Sequence, residues 1–124
     1  MRLIIAGSRH FQEDVYEIIS DWMFANREVA SQITEVVSGG ATGVDAAGEV
    51  FATNVDWSLV VMKADWKQNG KAAGPIRNRK MAEYADSLLL IWDGKSKGSS
   101  SMKKEMQRLN KPIYEVIIDV ENSR

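Results

Sequence analysis

Asp45 and Glu49 stand four residues apart, immediately after Ser38-Gly39-Gly40-Ala41-Thr42-Gly43-Val44. At that spacing two side chains share one face of a helix. The pair therefore presents two carboxylates to a glycine turn. Such groups can hold ribose hydroxyls, a protonated base or a metal, or they can move protons. Two acids near a helix start also stabilise it by charge–dipole attraction, which is their purely structural role. The turn has its own chemistry. Glycines let a ligand approach the backbone closely. The first N–H groups of the following helix lack internal partners and, with the helix dipole, favour an anion such as phosphate. A tight strand-to-helix turn without a ligand is the alternative.

Basic residues could supply the rest of an anion site. Arg9 follows the first apolar run, where a guanidinium can clamp phosphate with two parallel hydrogen bonds. Arg77, Asn78, Arg79 and Lys80 cluster at an expected helix start, where cations oppose the dipole unless an anion is present. A helix points neighbours in different directions, so one or two of the four face a pocket and the others water. Lys95 and Lys97 lie in a second glycine-bearing turn, Asp93 to Ser99. Asp93 is an acid, a ribose ligand or a plain turn residue. Asp65 and Trp66 could cover a ligand, with the indole stacking on a base; a tryptophan in a loop otherwise plugs the edge of a core. His10 is a proton shuttle or a polar surface group. Neither glycine turn matches G-x-G-x-x-G or G-x-x-x-x-G-K-[ST], so a standard dinucleotide or Walker site is not supported.

Composition narrows the classes. The 124 residues suit one domain, expected over residues 1–120 with a frayed tail at 121–124. A hydrophobic content of 44% with 27% charged residues is that of a soluble globular protein. A net charge of −1 argues against coating nucleic acid through bulk charge. There is no cysteine and a single histidine, so thiolate chemistry and a multi-histidine metal centre are excluded. No apolar run approaches a membrane span and no secretory leader opens the chain, which makes the cytoplasm the expected location.

Strands are expected over residues 2–7, 33–38, 57–62, 87–92 and 112–120. Helices are expected over 13–30, 44–54, 75 to 84 or 85, and 102–109. Pro75 opens the third of these, with Ile76, Met81 and Ala85 inward. Residues 63–74 have no clear period and read as a long loop. This alternation predicts an α/β fold, a Rossmann-like three-layer sandwich with a mostly parallel five-stranded sheet. Ligands bind such sheets beyond the carboxyl ends of the strands, where strand order reverses. The loops Gly7 to Phe11, Ser38 to Asp45 and Asp93 to Ser99 would meet there.

These motifs, in this order, resemble a family. Gly7-Ser8-Arg9, then Ser38-Gly39-Gly40-Ala41-x-Gly43-Val44-Asp45-x-x-Gly48-Glu49, then Ala64-Asp65-Trp66, then Gly74-Pro75-x-Arg77-Asn78-x-x-Met81, and Trp92-Asp93-Gly94-x-Ser96-x-Gly98 look like the YspA-like branch of the SLOG superfamily. SLOG domains are Rossmann-like and include LOG-type phosphoribohydrolases, the DNA-processing protein DprA and sensors of nucleotide ligands. Against the LOG enzymes, the R-x-x-x-M arginine falls at Arg77, four before Met81. Their P-G-G-x-G-T-x-x-E motif lies over Trp92 to Met102, with Ser99 in place of threonine and Met102 in place of the catalytic glutamate. A thioether cannot serve as a general acid or base. Glu105, one turn further on, has the wrong spacing.

The candidate ligand-binding set is therefore Gly7, Ser8, Arg9, Ser38, Gly39, Gly40, Ala41, Gly43, Asp45, Asp65, Trp66, Arg77, Asn78, Asp93, Gly94, Ser96, Gly98 and Ser99. Asp45, Glu49 and Arg77 are the candidate catalytic residues. The expected partner is a nucleotide or sugar-phosphate, with ADP-ribose or NAD-like molecules included, and no metal or resident cofactor is assigned. Three functions stand open: a nucleotide sensor or sequestering module, a nucleoside 5′-monophosphate N-glycosidase, and a DprA-like binder of single-stranded DNA. Relatives pair through helices, so a homo-oligomer is expected, with Trp22, Phe24 and Tyr84 as surplus apolar residues.

Overall fold

The computed structural model describes residues 1–10 and 14–118. Phe11, Glu13 and the stretch 119–124, which figured in the expectations above, lie outside the described residues.

Five strands form one all-parallel sheet in the order β3-β2-β1-β4-β5. They are β1 (Arg2–Gly7), β2 (Glu35–Ser38), β3 (Ser58–Val61), β4 (Ser87–Trp92) and β5 (Ile113–Ile117). The order reverses between β1 and β4, which pair from Leu3↔Ser87 to Gly7↔Ile91. Covered on both faces, these two strands are almost continuously apolar, and Leu3, Ile4, Ile5 and Leu88 to Ile91 are fully buried.

Alternation along the strands sends side chains to two cores. Leu3, Ile5, Val36, Leu89 and Ile91 pack with Val15, Ile19 and Met23 of α1 (Val15–Ala25) and with Val44, Phe51 and Ala52 of α3 (Val44–Asn54). Ile4, Ala6, Val37, Leu88, Leu90 and Trp92 pack on the other face. Their partners there are Met81, Ala82 and Ala85, at the end of α5 (Ala73–Tyr84), and Met102 and Met106 of α6 (Lys97–Arg108). The three layers are those expected.

Several boundaries differ from the sequence reading. The first helix breaks at Asn26, whose backbone N–H and side-chain amide both donate to Trp22 O at 2.9 Å, leaving α2 as a short separate turn (Arg27–Ala30). Residues 63–74 are not a long loop. They hold α4 (Trp66–Asn69), a 3₁₀ turn (Gly70–Ala72) and the start of α5. Pro75 sits inside the first turn of α5, where its missing N–H leaves no bond unmade. Ile76 faces outward at 38% exposure, while Met81 and Ala85 are buried. Helix α6 begins at Lys97, five residues before the expected Met102, so Gly98 and Ser99 belong to its first turn. Of the surplus aromatics, only Phe24 is exposed, at 75%. Trp22 stacks at a tilt on Tyr114, and Tyr84 Oη donates to Glu35 at 2.6 Å.

Candidate functional site

A cavity of about 320 Å³ opens beyond the carboxyl ends of β1 and β4, at the reversal of strand order. Its walls come from four separated pieces of chain. Ala6 to His10 end β1 and follow it, Gly39, Ala41 and Asp45 follow β2, Arg77, Asn78 and Met81 lie on α5, and Asp93 and Ser96 after β4 lead to Gly98, Ser99 and Met102 of α6.

The glycine turn before α3 is closed on itself. Val44 N donates to Ser8 O at 3.2 Å and Gly40 N to Ser38 Oγ at 3.1 Å. Ala41 N reaches Asp45 Oδ2 at 3.4 Å. Gly43 is held at φ 74°, and a Cβ there would come within 2.4 Å of Ser8 O. Thus the first N–H of α3, that of Val44, is taken and a carboxylate stands in the same turn, unlike the open helix start that the sequence suggests. Glu49 does not join Asp45 in the cavity wall. It accepts a 2.6 Å hydrogen bond from Ser38 Oγ, so both residues brace the turn from outside the cavity.

Asp45 is 5% exposed. Burial pushes its carboxyl above the ordinary value of 3.8, although the Ala41 N–H, the Arg77 charge and the Gly39 N–H all work in the other direction. Arg77 donates through Nη1 to Gly39 O at 2.6 Å and through Nε to Asn78 Oδ1 at 2.8 Å. Burial pulls its guanidinium below the usual value, with Asp45 opposing, and the group stays charged. A Cβ on Gly39 would meet Arg77 Nη1 at 2.7 Å and Asp45 Oδ2 at 2.8 Å, so only a glycine leaves room for both side chains. Asn78 is fixed in turn by bonds to Gly98 O and Ser101 Oγ, at 3.4 and 3.3 Å. Arg79 and Lys80 point away from the cavity, and Arg79 pairs with Glu105 at 3.4 Å. The basic cluster is split as helical geometry requires.

The open helix start belongs to α6. Asp93 Oδ1 accepts from Lys95 N at 2.9 Å and Ser96 N at 3.0 Å, which turns the chain into the helix. The Lys95 N–H above all, with that of Ser96, holds the Asp93 carboxyl below its ordinary range. Ser96 occupies the N-cap position but makes no capping bond, and no acid stands in the first turn. Its Oγ is buried without a partner, and so is Ser8 Oγ across the cavity. Ser8 as a whole is 7% exposed. A buried hydroxyl without a partner is costly unless something fills the space before it. Two such hydroxyls, a free helix start and Arg77 converge here.

A second cavity of about 370 Å³ adjoins the first, and the two share Arg9, Gly39, Ala41 and Arg77. Gly40, Thr42, Lys63, Ala64 and Trp66 complete its wall. Asp65 lines neither cavity; its Oδ1 caps α4 by accepting from Gln68 N at 3.1 Å. Gly94 and Gly43 also lie outside both linings. Lys63 and Ala6 are wall residues that the motif reading did not single out. Lys63 carried no local signal, because only the return of β3 toward the sheet's carboxyl edge brings it there.

Among the described residues, no group of three or more His, Cys, Asp and Glu is placed to hold a metal ion. Nor is any helix among them long and apolar enough to cross a membrane.

No family model matches the chain. The Gene 61 protein of Mycobacterium phage D29 is 29% identical over 120 residues, which cover 90% of this chain and 93% of that protein. The X-ray structure of DNA processing protein A (DprA) from Streptococcus pneumoniae is similar with a TM-score of 0.74 at 14% identity. That match covers 98% of this chain and 53% of the DprA chain, so this chain spans about half the length of the DprA structure. The likeness is one of fold, a Rossmann-like α/β architecture.

Proposed function

We propose that the chain binds a nucleotide or nucleotide derivative, phosphate group inward, and acts as a sensor or sequestering protein of the YspA-like kind. One observation carries this reading. Ser8, whose buried hydroxyl has no partner, lines the same cavity as the uncapped start of α6 and Arg77. A phosphate there would accept from the hydroxyl and from the first N–H groups of α6, and would meet the guanidinium. The cavity volume is at the lower end of the range for small-ligand sites.

Hydrolysis of an N-glycosidic bond has less support. Met102 is buried in the cavity wall where the LOG glutamate would act. Asp45 and Asp93 are the acids in the cavity wall, and both carboxyls accept backbone N–H groups, Asp45 from Ala41 and Asp93 from Lys95 and Ser96. The bound nucleotide is therefore released unchanged in this reading.

The test is a thermal-shift screen with nucleoside mono-, di- and triphosphates, ADP-ribose, NAD and cyclic nucleotides, followed by chromatography of each mixture. A ligand at one hundred times its Kd adds about 2.7 kcal/mol to stability. Recovery of the stabilising ligand intact supports the proposal. Recovery of free base and ribose phosphate makes the chain a glycosidase. No shift with any of them removes the nucleotide reading.

A second reading is binding of single-stranded DNA. It is favoured by the fold shared with a DNA-processing protein and by the exposed Trp66 beside Arg9 and Lys63. Retention on a labelled oligonucleotide, unaffected by competing mononucleotide, would establish it.

A further inference from the structure

We infer that Trp66 forms a base platform in the outer cavity, so that the ligand is a nucleoside phosphate lying across both cavities. The inference rests on the anion reading of the inner cavity and adds what lies at the other end of the ligand. Of the four tryptophans, Trp92 is 6% exposed and Trp22 and Trp57 pack against the core. Trp66 is 53% exposed. It therefore contributes little to the core, and its position is fixed by other means.

Those means are visible in the chain. Asp65 caps the first turn of α4, fixing the backbone at Trp66. The indole edge lies where a Cβ on Gly74 would touch it at 3.5 Å, so its position is set from the α5 side. A four-residue helix is too short to be stable by its own hydrogen bonds, and this one depends on its cap and on the turn that follows. Asp65 is thus a positioning residue for the indole.

The surroundings name the ligand class. The outer cavity holds three cations, Arg9, Lys63 and Arg77, and no acidic residue in its wall. An aromatic face beside cations suits a base that stacks while its phosphate is neutralised nearby. Arg77 and Gly39 belong to both cavities, so a sugar passing between them connects the two ends. Stacking accepts any base, which predicts weak discrimination among them. A free nucleotide and the 5′-phosphorylated end of a single strand share this chemistry.

The experiment is calorimetric titration of the whole chain with inorganic phosphate, ribose 5-phosphate, AMP and a 5′-phosphorylated oligonucleotide. The proteins are the unchanged chain, Trp66→Leu and Trp66→Phe. In the unchanged chain AMP binds about tenfold more tightly than ribose 5-phosphate. Trp66→Leu abolishes that difference and Trp66→Phe keeps most of it, while ribose 5-phosphate binds all three alike. The tighter of AMP and the oligonucleotide identifies the source of the nucleoside phosphate, provided that its advantage is lost in Trp66→Leu. Equal binding of AMP and ribose 5-phosphate by the unchanged chain overturns the platform and leaves the anion site standing. So does an equal loss of both in Trp66→Leu. Binding of none of the four probes overturns both readings.

Discussion

The guanidinium of Arg77 donates to the carbonyl oxygen of Gly39 at 2.6 Å across 38 residues of sequence, joining α5 to the turn after β2. Asp45 Oδ2 comes as near as Arg77 to the position that a Cβ on Gly39 would take. The cavity's buried acid and its half-buried arginine thus flank one backbone position, and among the described residues Asp45 has no ion-pair partner. The arrangement depends on the absence of a side chain at residue 39.

Gly39→Ala therefore displaces Arg77, Asp45 or both. Overpacking of this kind costs about 1–3 kcal/mol of stability. Denaturant unfolding measures that loss, and sulfate titration should show weakened anion binding, because the guanidinium no longer holds its place in the wall.

Ser8→Ala should separate stability from binding. Removing a buried hydroxyl that lacks a partner raises the stability of the ligand-free chain by up to about 1 kcal/mol. The same change should weaken phosphate binding about tenfold, since one hydrogen bond to a charged group is lost. Chemical denaturation and calorimetry on one preparation read both signs. A fall in both quantities would make Ser8 structural.

The pH dependence follows from Asp45. Its folded-state pKa lies above the unfolded value near 3.8, so between those two values the folded chain holds more protons than the unfolded one. Its contribution to stability is complete below the unfolded value and is lost as pH rises through the folded value. Asp45→Asn removes that fall, and its melting temperature should exceed that of the unchanged chain at neutral pH. The gap should close as pH drops toward the unfolded value. Sulfate, which does not titrate in this range, should bind the unchanged chain less well as pH rises and Asp45→Asn nearly uniformly.

Gly43→Ala tests the turn at a residue that is itself outside both cavity walls. The substitution puts an L side chain at φ 74° and against the carbonyl oxygens of Ser8 and Arg9. Strain and overpacking together should cost about 3 kcal/mol or more, seen as a lower denaturation midpoint.

How far the sequence could be read depends on where each signal resides. Strand β4 and helix α3 have the bounds expected, because a run as apolar as Leu88 to Trp92 and a helical period from Val44 are local properties. The helical character of 66–72 was hidden. It stems from the Asp65 cap and packing near Gly74 rather than from any period. The early start of α6 was masked by Gly98 and three successive serines, weak helix formers that Asp93 and Asn78 hold in place from outside the helix. The convergence of loops on one cavity could be anticipated from the alternation of elements. Which helix start was free could not, since that turns on Ser8 O occupying Val44 N and on a capping bond that Ser96 does not make.

The inner cavity's walls span the chain from Ala6 to Met102, in four pieces that meet only when β1, β2 and β4 are paired. None of the four pieces carries half of it. Parallel pairings of this kind are long-range and form late relative to local helices. A ligand of this cavity consequently recognises completed chains alone. It should slow unfolding and leave the rate of folding nearly unchanged, so that occupancy sets how long a folded molecule lasts and has little bearing on how quickly one is made.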